Sequence, residues 1–161
     1  EVHRRVLLFR VGKPAEDAGT RLDDDDVRRV RHGARGLKLL NPGVTRVLTS
    51  PWREASEAGA LLAEALDVKA ARISTTDALL PVAAAFEIFR VLSSFVGSDE
   101  AVLVVGHAGQ LDRVLALALT GDRTPVTPTR RGGAALLELD DLPRPSGELS
   151  WLLPLKVLGK L

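Results

Sequence analysis

Residues 101–107 read Ala-Val-Leu-Val-Val-Gly-His, so five consecutive apolar residues stand directly before a glycine and a histidine. A short apolar run of this kind predicts a buried β-strand. The runs Arg5–Phe9 and Arg46–Thr49 have the same character, and long segments with helical spacing separate the three runs. This alternation predicts βαβ units and therefore a parallel sheet.

Helices are predicted where apolar residues recur at intervals of three and four. The segments are Asp24–Leu40, Arg53–Leu66, Pro81–Phe95 and Gln110–Leu119. Asp23 stands before the first segment, where an N-cap residue is expected, and three aspartates occupy the first turn. A metal site formed by these aspartates is the alternative, which the divergence of consecutive helical side chains disfavours.

The last third of the chain contains two more apolar runs, Ala134–Leu139 and Leu149–Leu153, joined by a cluster of turn-forming residues. These runs predict a terminal β-hairpin. With helices on both faces of the sheet, the sequence predicts a three-layer α/β/α sandwich with a mostly parallel central sheet. No repeat and no long linker interrupts residues 1–161, so one domain is expected.

Composition narrows the classes of function. A formal net charge of +1, from 22 basic and 21 acidic residues, provides no general attraction to nucleic acid or to an anionic membrane. The absence of cysteine excludes disulfides and cysteine-ligated zinc and fits a reducing compartment, so a cytoplasmic location is expected. The sequence motifs of nucleotide and dinucleotide binding, zinc proteases and serine hydrolases are missing.

Polar residues that follow the predicted parallel strands indicate an anion site. Arg10 follows the first strand, Arg53 comes shortly after the second, and His107 follows the third. Ligands bind beyond the carboxyl ends of parallel strands, so these side chains are expected to converge. Guanidinium groups match phosphate oxygens, and Gly12 and Gly106 permit a close approach of the backbone. The sequence therefore predicts a site for a phosphoryl group.

The same segments resemble the motifs of the histidine phosphatase superfamily, in its small phosphohistidine phosphatase (SixA-type) branch, over nearly the whole chain. The family has an apolar strand with Arg-His-Gly, a Leu-Thr segment, a strand ending in Ser-Pro with an arginine two residues later, and a strand ending in a histidine. The matching segments here are Val6–Gly12, Leu22-Asp23, Val47–Ala55 and Val102–His107. The resemblance implies a phosphoglycerate mutase-like fold.

The resemblance also assigns roles to single residues. It implies that four of them bind the phosphoryl group: Arg10, Gly12, Arg53 and His107. It implies that Asp17 protonates the leaving group, and it implies no metal and no other cofactor. In the family the histidine of Arg-His-Gly attacks phosphorus, but Val11 stands at that position here. A valine side chain has no lone pair with which to attack.

A literal Arg-His-Gly stands at Arg31-His32-Gly33, inside a predicted helix rather than after a strand, and is expected to form an exposed basic face. The surrounding basic run, Arg28–Lys38, contains no aromatic residue, which disfavours a nucleic-acid interface. Arg130 or Arg131, before the fourth predicted strand, could add a contact to phosphate.

Three functions follow from these features. The first is an inactive phosphatase domain that binds phosphate, a phosphorylated protein side chain or a small phosphoester. The second is an active phosphatase, in which Val11 is an introduced substitution or His107 replaces the missing nucleophile. The third is a non-catalytic scaffold for protein interaction. Nucleic acid and membrane partners are not expected.

Overall fold

A computed structural model describes residues 4–11, 17–40, 42–95, 101–127, 129 and 131–161. The strands in these ranges are β1 (Arg4–Arg10), β2 (Val44–Thr49), β3 (Ile73–Thr75), β4 (Ala101–Gly106), β5 (Ala134–Leu139) and β6 (Gly147–Leu153). They pair into one sheet in the order β3-β2-β4-β1-β5-β6. The pairs β1–β4, β2–β4 and β2–β3 are parallel, whereas β1–β5 and β5–β6 are antiparallel. The mostly parallel sheet and the terminal hairpin are confirmed.

The helices are α1 (Asp24–Leu40), α2 (Arg53–Ala65), α3 (Glu87–Ser93), α4 (Gln110–Thr120) and α5 (Leu155–Leu158). The first begins as predicted, because Oδ1 of Asp23 accepts a hydrogen bond of 2.7 Å from the backbone N–H of Asp26. This contact satisfies one of the free N–H groups of the first turn. Asp23 is therefore the N-cap residue of α1.

Successive side chains along the central strands point to opposite faces of the sheet. Val102 and Val104 of β4 pack in one buried cluster with α3 and α4. Leu103 and Val105 pack in the other, together with α1, α2 and Leu158 of α5. Because the central strands are covered on both faces, the predicted three-layer α/β/α sandwich is confirmed.

The predicted helix over Pro81–Phe95 is wrong in its first half. Residues 81–86 form turns, and the regular helix begins only at Glu87. The large side chains that the core accepts, Ile88 and Phe89 among them, lie in the second half, whereas Val82 is 91% exposed. The buried apolar residue of the first half is Ala85, whose single methyl group contributes too little packing to support a helix.

Two further elements escaped the sequence analysis because they are short. β3 has three residues and exists by pairing with β2, through contacts such as Val47 with Ile73. α5 is a single turn whose Leu158 is fully buried against α1. In the part of the chain that the structure describes, no helix is long and apolar enough to cross a membrane.

Candidate functional site

The ends of three strands meet at one edge of the sheet, as the sequence predicts. β4 lies between β1 and β2. The backbone N–H of Val11 donates to the carbonyl oxygen of Gly106 at 3.0 Å, and the N–H of Ser50 donates to that of Val105 at 3.2 Å. These bonds continue the ladders past the last strand residues, so that Val11, Ser50 and His107 leave the sheet side by side.

Arg10 is held in position by a neighbouring loop. Its Nη1 donates to the carbonyl oxygen of Thr129 at 2.6 Å. Its Nε is buried and has no hydrogen-bond partner among the described residues. A buried donor without a partner costs free energy unless a ligand or water satisfies it. Arg10 therefore has donor capacity left for an anion.

Asp112 anchors the loop that holds Arg10. Its Oδ1 accepts two hydrogen bonds from Thr129, one from the backbone N–H and one of 2.6 Å from Oγ1. Its Oδ2 accepts from the N–H of Gly109 at 3.3 Å, where a positive φ of 80° suits glycine. One carboxylate thus connects the start of α4, the Thr129 loop and Arg10.

Val11 occupies the predicted nucleophile position as part of the core. Its side chain is only 1% exposed and belongs to an apolar cluster with Leu22, Ala55 and Phe9. Two methyl groups provide no lone pair and no proton for chemistry at this place. Gly12, predicted to approach the phosphoryl group, lies outside the described residues.

His107 faces a buried carboxylate. Its Nδ1 lies 3.4 Å from Oε1 of Glu54, and the two side chains are 3% and 4% exposed. In the described part of the chain, neither ring nitrogen of His107 has a hydrogen-bond partner, and Oε1 of Glu54 has none. His107 therefore keeps two polar ring atoms for a ligand, a water molecule or Glu54 itself.

Trp52 forms one wall beside His107. Their ring centroids are 5.3 Å apart and the ring planes are inclined by 62°, an edge-to-face arrangement. The backbone N–H of Trp52 donates to Oγ of Ser50 at 3.2 Å, which fixes the turn between β2 and α2. The Ser-Pro-Trp stretch thus orients the first turn of α2 toward His107.

Arg53, predicted to bind the phosphoryl group, pairs with a side chain of its own helix in this structure. Its Nε donates to Oε1 of Glu57 at 2.8 Å, and the side chain is 49% exposed. The next two residues, Glu54 and Ala55, are the buried residues of this turn. Glu54 lies beside His107 and Ala55 belongs to the cluster of Val11, and the role of Arg53 at a phosphoryl group stays a prediction.

Asp17, predicted to be the proton donor, is exposed and engaged in a local turn. Its Oδ1 accepts from the backbone N–H of Gly19 at 2.9 Å and from Oγ1 of Thr20 at 3.3 Å. The next residue ties this loop to α2, because the carbonyl oxygen of Ala18 accepts from the N–H of Arg53 at 2.9 Å. The loop therefore borders the start of α2, and the Asp17 carboxylate is turned into its own loop.

The aspartates at the start of α1 act as helix-terminal groups. Burial, and the neighbouring Asp23 carboxylate, raise the pKa of Asp26 above its usual value, and the positive charge of Arg131 partly opposes this. Arg131, predicted as an additional phosphate contact, thus interacts with the start of α1, and Arg130 lies outside the described residues. Among the residues described, no group of three or more histidine, aspartate and glutamate side chains is arranged to hold a metal ion.

Sequence reasoning missed four residues of this site. Glu54 and Trp52 flank the predicted Arg53 in the same motif, so their positions were available but their orientation was not. Asp112 and Thr129 are linked only by the fold, since they lie 17 positions apart in the chain. No local sequence signal connects a helix residue to a distant loop, and no sequence pattern could have identified that pair.

No family model and no curated protein matches the sequence. The fold does match solved structures. The protein histidine phosphatase SixA, complexed with tungstate, has a TM-score of 0.82 at 22% identity, over 96% of this chain and 99% of that one. Phosphoglycerate mutase from Plasmodium falciparum has a TM-score of 0.68 at 16% identity, over 94% of this chain and 91% of that one. Mycobacterial glucosyl-3-phosphoglycerate phosphatase has a TM-score of 0.61 at 13% identity, over 83% of this chain and 89% of that one. Identities this low speak for architecture alone, and the architecture of this chain is the α/β fold common to the histidine phosphatases and phosphoglycerate mutases.

Proposed function

We propose that residues 1–161 form one histidine phosphatase-like domain that binds a phosphoryl-type oxyanion and does not hydrolyse it. The observation that carries the proposal is Val11, which is 1% exposed at the end of β1, beside His107. A covalent phosphoryl intermediate needs a nucleophile at this position, and an alkane side chain cannot act as one. Binding of an oxyanion needs only hydrogen-bond donors, and Arg10 and His107 can supply them.

Arg10 and His107 are the proposed contacts for the oxyanion. Arg10 has a buried Nε with no hydrogen-bond partner in the described ranges, and His107 has two such ring nitrogens. Guanidinium and imidazole N–H groups donate to phosphate oxygens, most strongly when the site excludes water. The similar fold of SixA was solved with tungstate, a tetrahedral oxyanion. The proposed ligands are phosphate, a phosphorylated protein side chain or a small phosphoester.

Isothermal titration calorimetry with tungstate and with inorganic phosphate tests binding. We expect Arg10→Ala to weaken tungstate binding at least tenfold. Arg144→Ala is the control, because Arg144 is exposed in the turn between β5 and β6, and we expect it to change the affinity less than threefold. Circular dichroism verifies that both variants fold.

Release of phosphate from a phosphohistidine peptide and from an aryl phosphate tests turnover. We expect no release by the parent protein above the Arg10→Ala background. Hydrolysis well above that background would overturn the proposed loss of catalysis. An affinity for tungstate and phosphate that Arg10→Ala leaves unchanged would overturn the proposed site.

A second candidate, a protein-interaction scaffold with no oxyanion ligand, is favoured by Glu54. A carboxylate 3.4 Å from His107 repels a phosphoryl dianion and offsets part of the positive charge of the site. Absence of any tungstate or phosphate affinity, in a parent protein shown to be folded, would favour this second function over the first.

A further inference from the structure

A groove runs between the exposed faces of α1 and α2. Its larger part has a cavity volume of 590 Å³ and is lined by residues of both helices. A second cavity of 360 Å³ continues it toward the start of α1, and the two share Arg31, Leu61 and Glu64. From Val27 to Lys38, helix α1 rises about 16 Å along this groove.

The α1 side of the groove is strongly basic. Arg28, Arg31, Arg35 and Lys38 follow one another at intervals of three and four residues, so they occupy one face of the helix. Glu64 is the acidic side chain in the lining of the larger cavity. Four cations face one carboxylate there, although the net charge of the whole chain is only +1. The positive charge is therefore local to the groove.

Most of this charge is available to a ligand. Arg28 pairs with the exposed Asp25, and Nζ of Lys38 lies 3.9 Å from Asp67. Exposed pairs of this kind are weak and exchange readily. Arg31 has no hydrogen-bond or ion-pair partner among the described residues.

His32 extends the array of donors. Nη2 of Arg35 lies 3.1 Å from Nδ1 of His32. A guanidinium has no acceptor atom, so Nδ1 accepts this hydrogen bond and Nε2 carries the ring proton. Arg35 and His32 thus form a linked pair of donors at the exposed Arg-His-Gly sequence, which the proposed oxyanion site does not use.

The floor of the groove is apolar. Ala34 of α1 and Leu61 and Ala65 of α2 line it between the charged side chains. A ligand that fits must therefore combine negative charge with at least one apolar group. Single-stranded nucleic acid binds where bases stack on aromatic rings, and the linings of the two cavities contain no phenylalanine, tyrosine or tryptophan.

We infer that this groove, defined by the exposed α1 face Arg28–Lys38 and the α2 residues Leu61, Glu64 and Ala65, binds an acidic peptide segment of a partner protein. The segment has one apolar side chain that packs on Leu61, flanked by aspartate or glutamate residues that meet the α1 cations. An extended chain advances about 3.3 Å per residue, so the groove accommodates about five residues.

Fluorescence anisotropy tests the inference with the fluorescein-labelled pentapeptide Glu-Asp-Leu-Glu-Asp and the intact chain. We expect saturable binding that weakens as salt is added. The double variant Arg31→Glu/Arg35→Glu should weaken it at least tenfold. The matched control, Arg123→Glu/Arg144→Glu, reverses two exposed charges outside the groove and should leave the affinity unchanged.

Two further peptides define the ligand. Gln-Asn-Leu-Gln-Asn, which lacks the charges, and Glu-Asp-Asn-Glu-Asp, which lacks the apolar group, should each bind at least fivefold more weakly than the parent peptide. Tungstate affinity should be unchanged in the groove variant, which separates this surface from the oxyanion site. If charge reversal unfolds the helix, Arg31→Gln/Arg35→Gln replaces it, with the same loss expected.

Three results would overturn the inference. The first is affinity for the acidic peptide that the groove variants leave intact. The second is equal binding of the peptide with a central asparagine, which would remove the role of the apolar floor. The third is binding of a single-stranded oligothymidylate without binding of the acidic peptide, which would identify a nucleic-acid surface instead.

Discussion

Oε1 of Glu54 lies 3.4 Å from Nδ1 of His107, with both side chains almost fully buried at the carboxyl edge of the sheet. Burying a carboxylate is costly unless a partner compensates it, and His107 is the polar side chain that faces it. The pair places a negative charge beside the donors proposed to bind an oxyanion. We therefore expect Glu54, as well as Arg10, to influence the affinity of this site.

Glu54→Gln is expected to tighten tungstate binding about tenfold, equivalent to about 1.4 kcal/mol. The substitution keeps the shape of the side chain and removes the charge that repels the oxyanion. Calorimetric titration measures the change. Glu57→Gln, on the exposed side of the same helix, is the control and should have little effect. Weaker binding by Glu54→Gln would mean instead that Glu54 supports the oxyanion by orienting His107.

Val11→His alone is not expected to create a phosphatase. The new imidazole would share the site with the Glu54 carboxylate, which opposes approach of a phosphoryl dianion. The double variant Val11→His/Glu54→Gln should release phosphate from a phosphohistidine peptide at least tenfold faster than the single variant. Activity of Val11→His equal to that of the double variant would show that Glu54 is no obstacle to the reaction.

The close approach of α2 to β2 predicts a coupled pair of substitutions. A Cβ at position 59 would overlap Cγ2 of Thr49, while the next contacts, to Cβ of Thr49 and Cγ1 of Val47, are ordinary at 3.6 Å. Gly59→Ala should therefore destabilise the protein by about 2 kcal/mol, as overpacking of a core does. Thr49→Ser removes the clashing methyl group.

The double variant Thr49→Ser/Gly59→Ala should be at least as stable as Thr49→Ser alone, because alanine favours the helix over glycine by about 1 kcal/mol. Urea unfolding of the four proteins measures the coupling free energy. Additive effects of the two substitutions would contradict the steric explanation. The contact lies in the helix that carries Glu54, so Gly59→Ala should also alter tungstate affinity.

The pH dependence of stability should differ between adjacent aspartates of α1. Burial raises the pKa of Asp26 above 3.8, with the Asp23 carboxylate as the second cause. Such a carboxyl holds its proton more tightly in the folded state, so its contribution to the free energy of unfolding falls as pH rises through the raised pKa. Asp26→Asn removes this loss, and its stability relative to the parent should increase as pH rises from the usual aspartate pKa toward the raised one.

Asp25→Asn is the matched comparison. Hydrogen bonds from Arg28 and then Arg29 lower the pKa of Asp25 below its usual value. A carboxyl group with a lowered pKa stabilises the folded state when the pH is above the usual aspartate pKa. This stabilisation is lost as the pH falls through the lowered pKa. Asp25→Asn should therefore lose stability relative to the parent at neutral pH, opposite in sign to Asp26→Asn. Parallel pH profiles for the two variants would contradict this assignment.

The sequence predicted those features that local signals determine. Apolar runs located the central strands, Asp23 marked the start of α1, and the turn formers after Leu139 indicated the hairpin. The side-by-side exit of Val11, Ser50 and His107 from the sheet followed from the geometry of parallel strands. These inferences succeeded because each depends on a few adjacent residues or on a general rule of sheet topology.

The orientation of the first turn of α2 could not be predicted in the same way. Arg53 and Glu54 are neighbours, and which of them faces His107 depends on the rotation of the first helical turn. That rotation is fixed by tertiary contacts, namely the hydrogen bond from Trp52 to Ser50 and the bond from Arg53 to Ala18. A rotation of the helix by one residue, about 100°, would exchange the Arg53 guanidinium for the Glu54 carboxylate. An error in the predicted rotation of the helix therefore reverses the charge beside His107.

The burial of Val11 has a consequence for the side chains that position 11 can accept. An imidazole at position 11 would carry two polar nitrogens into a cluster that now includes Leu22 and Ala55. Tighter packing of this apolar cluster raises the free-energy cost of any polar side chain at position 11. The end of β1 therefore trades chemistry for packing, because the contacts that stabilise Val11 are the ones that a catalytic side chain would have to displace.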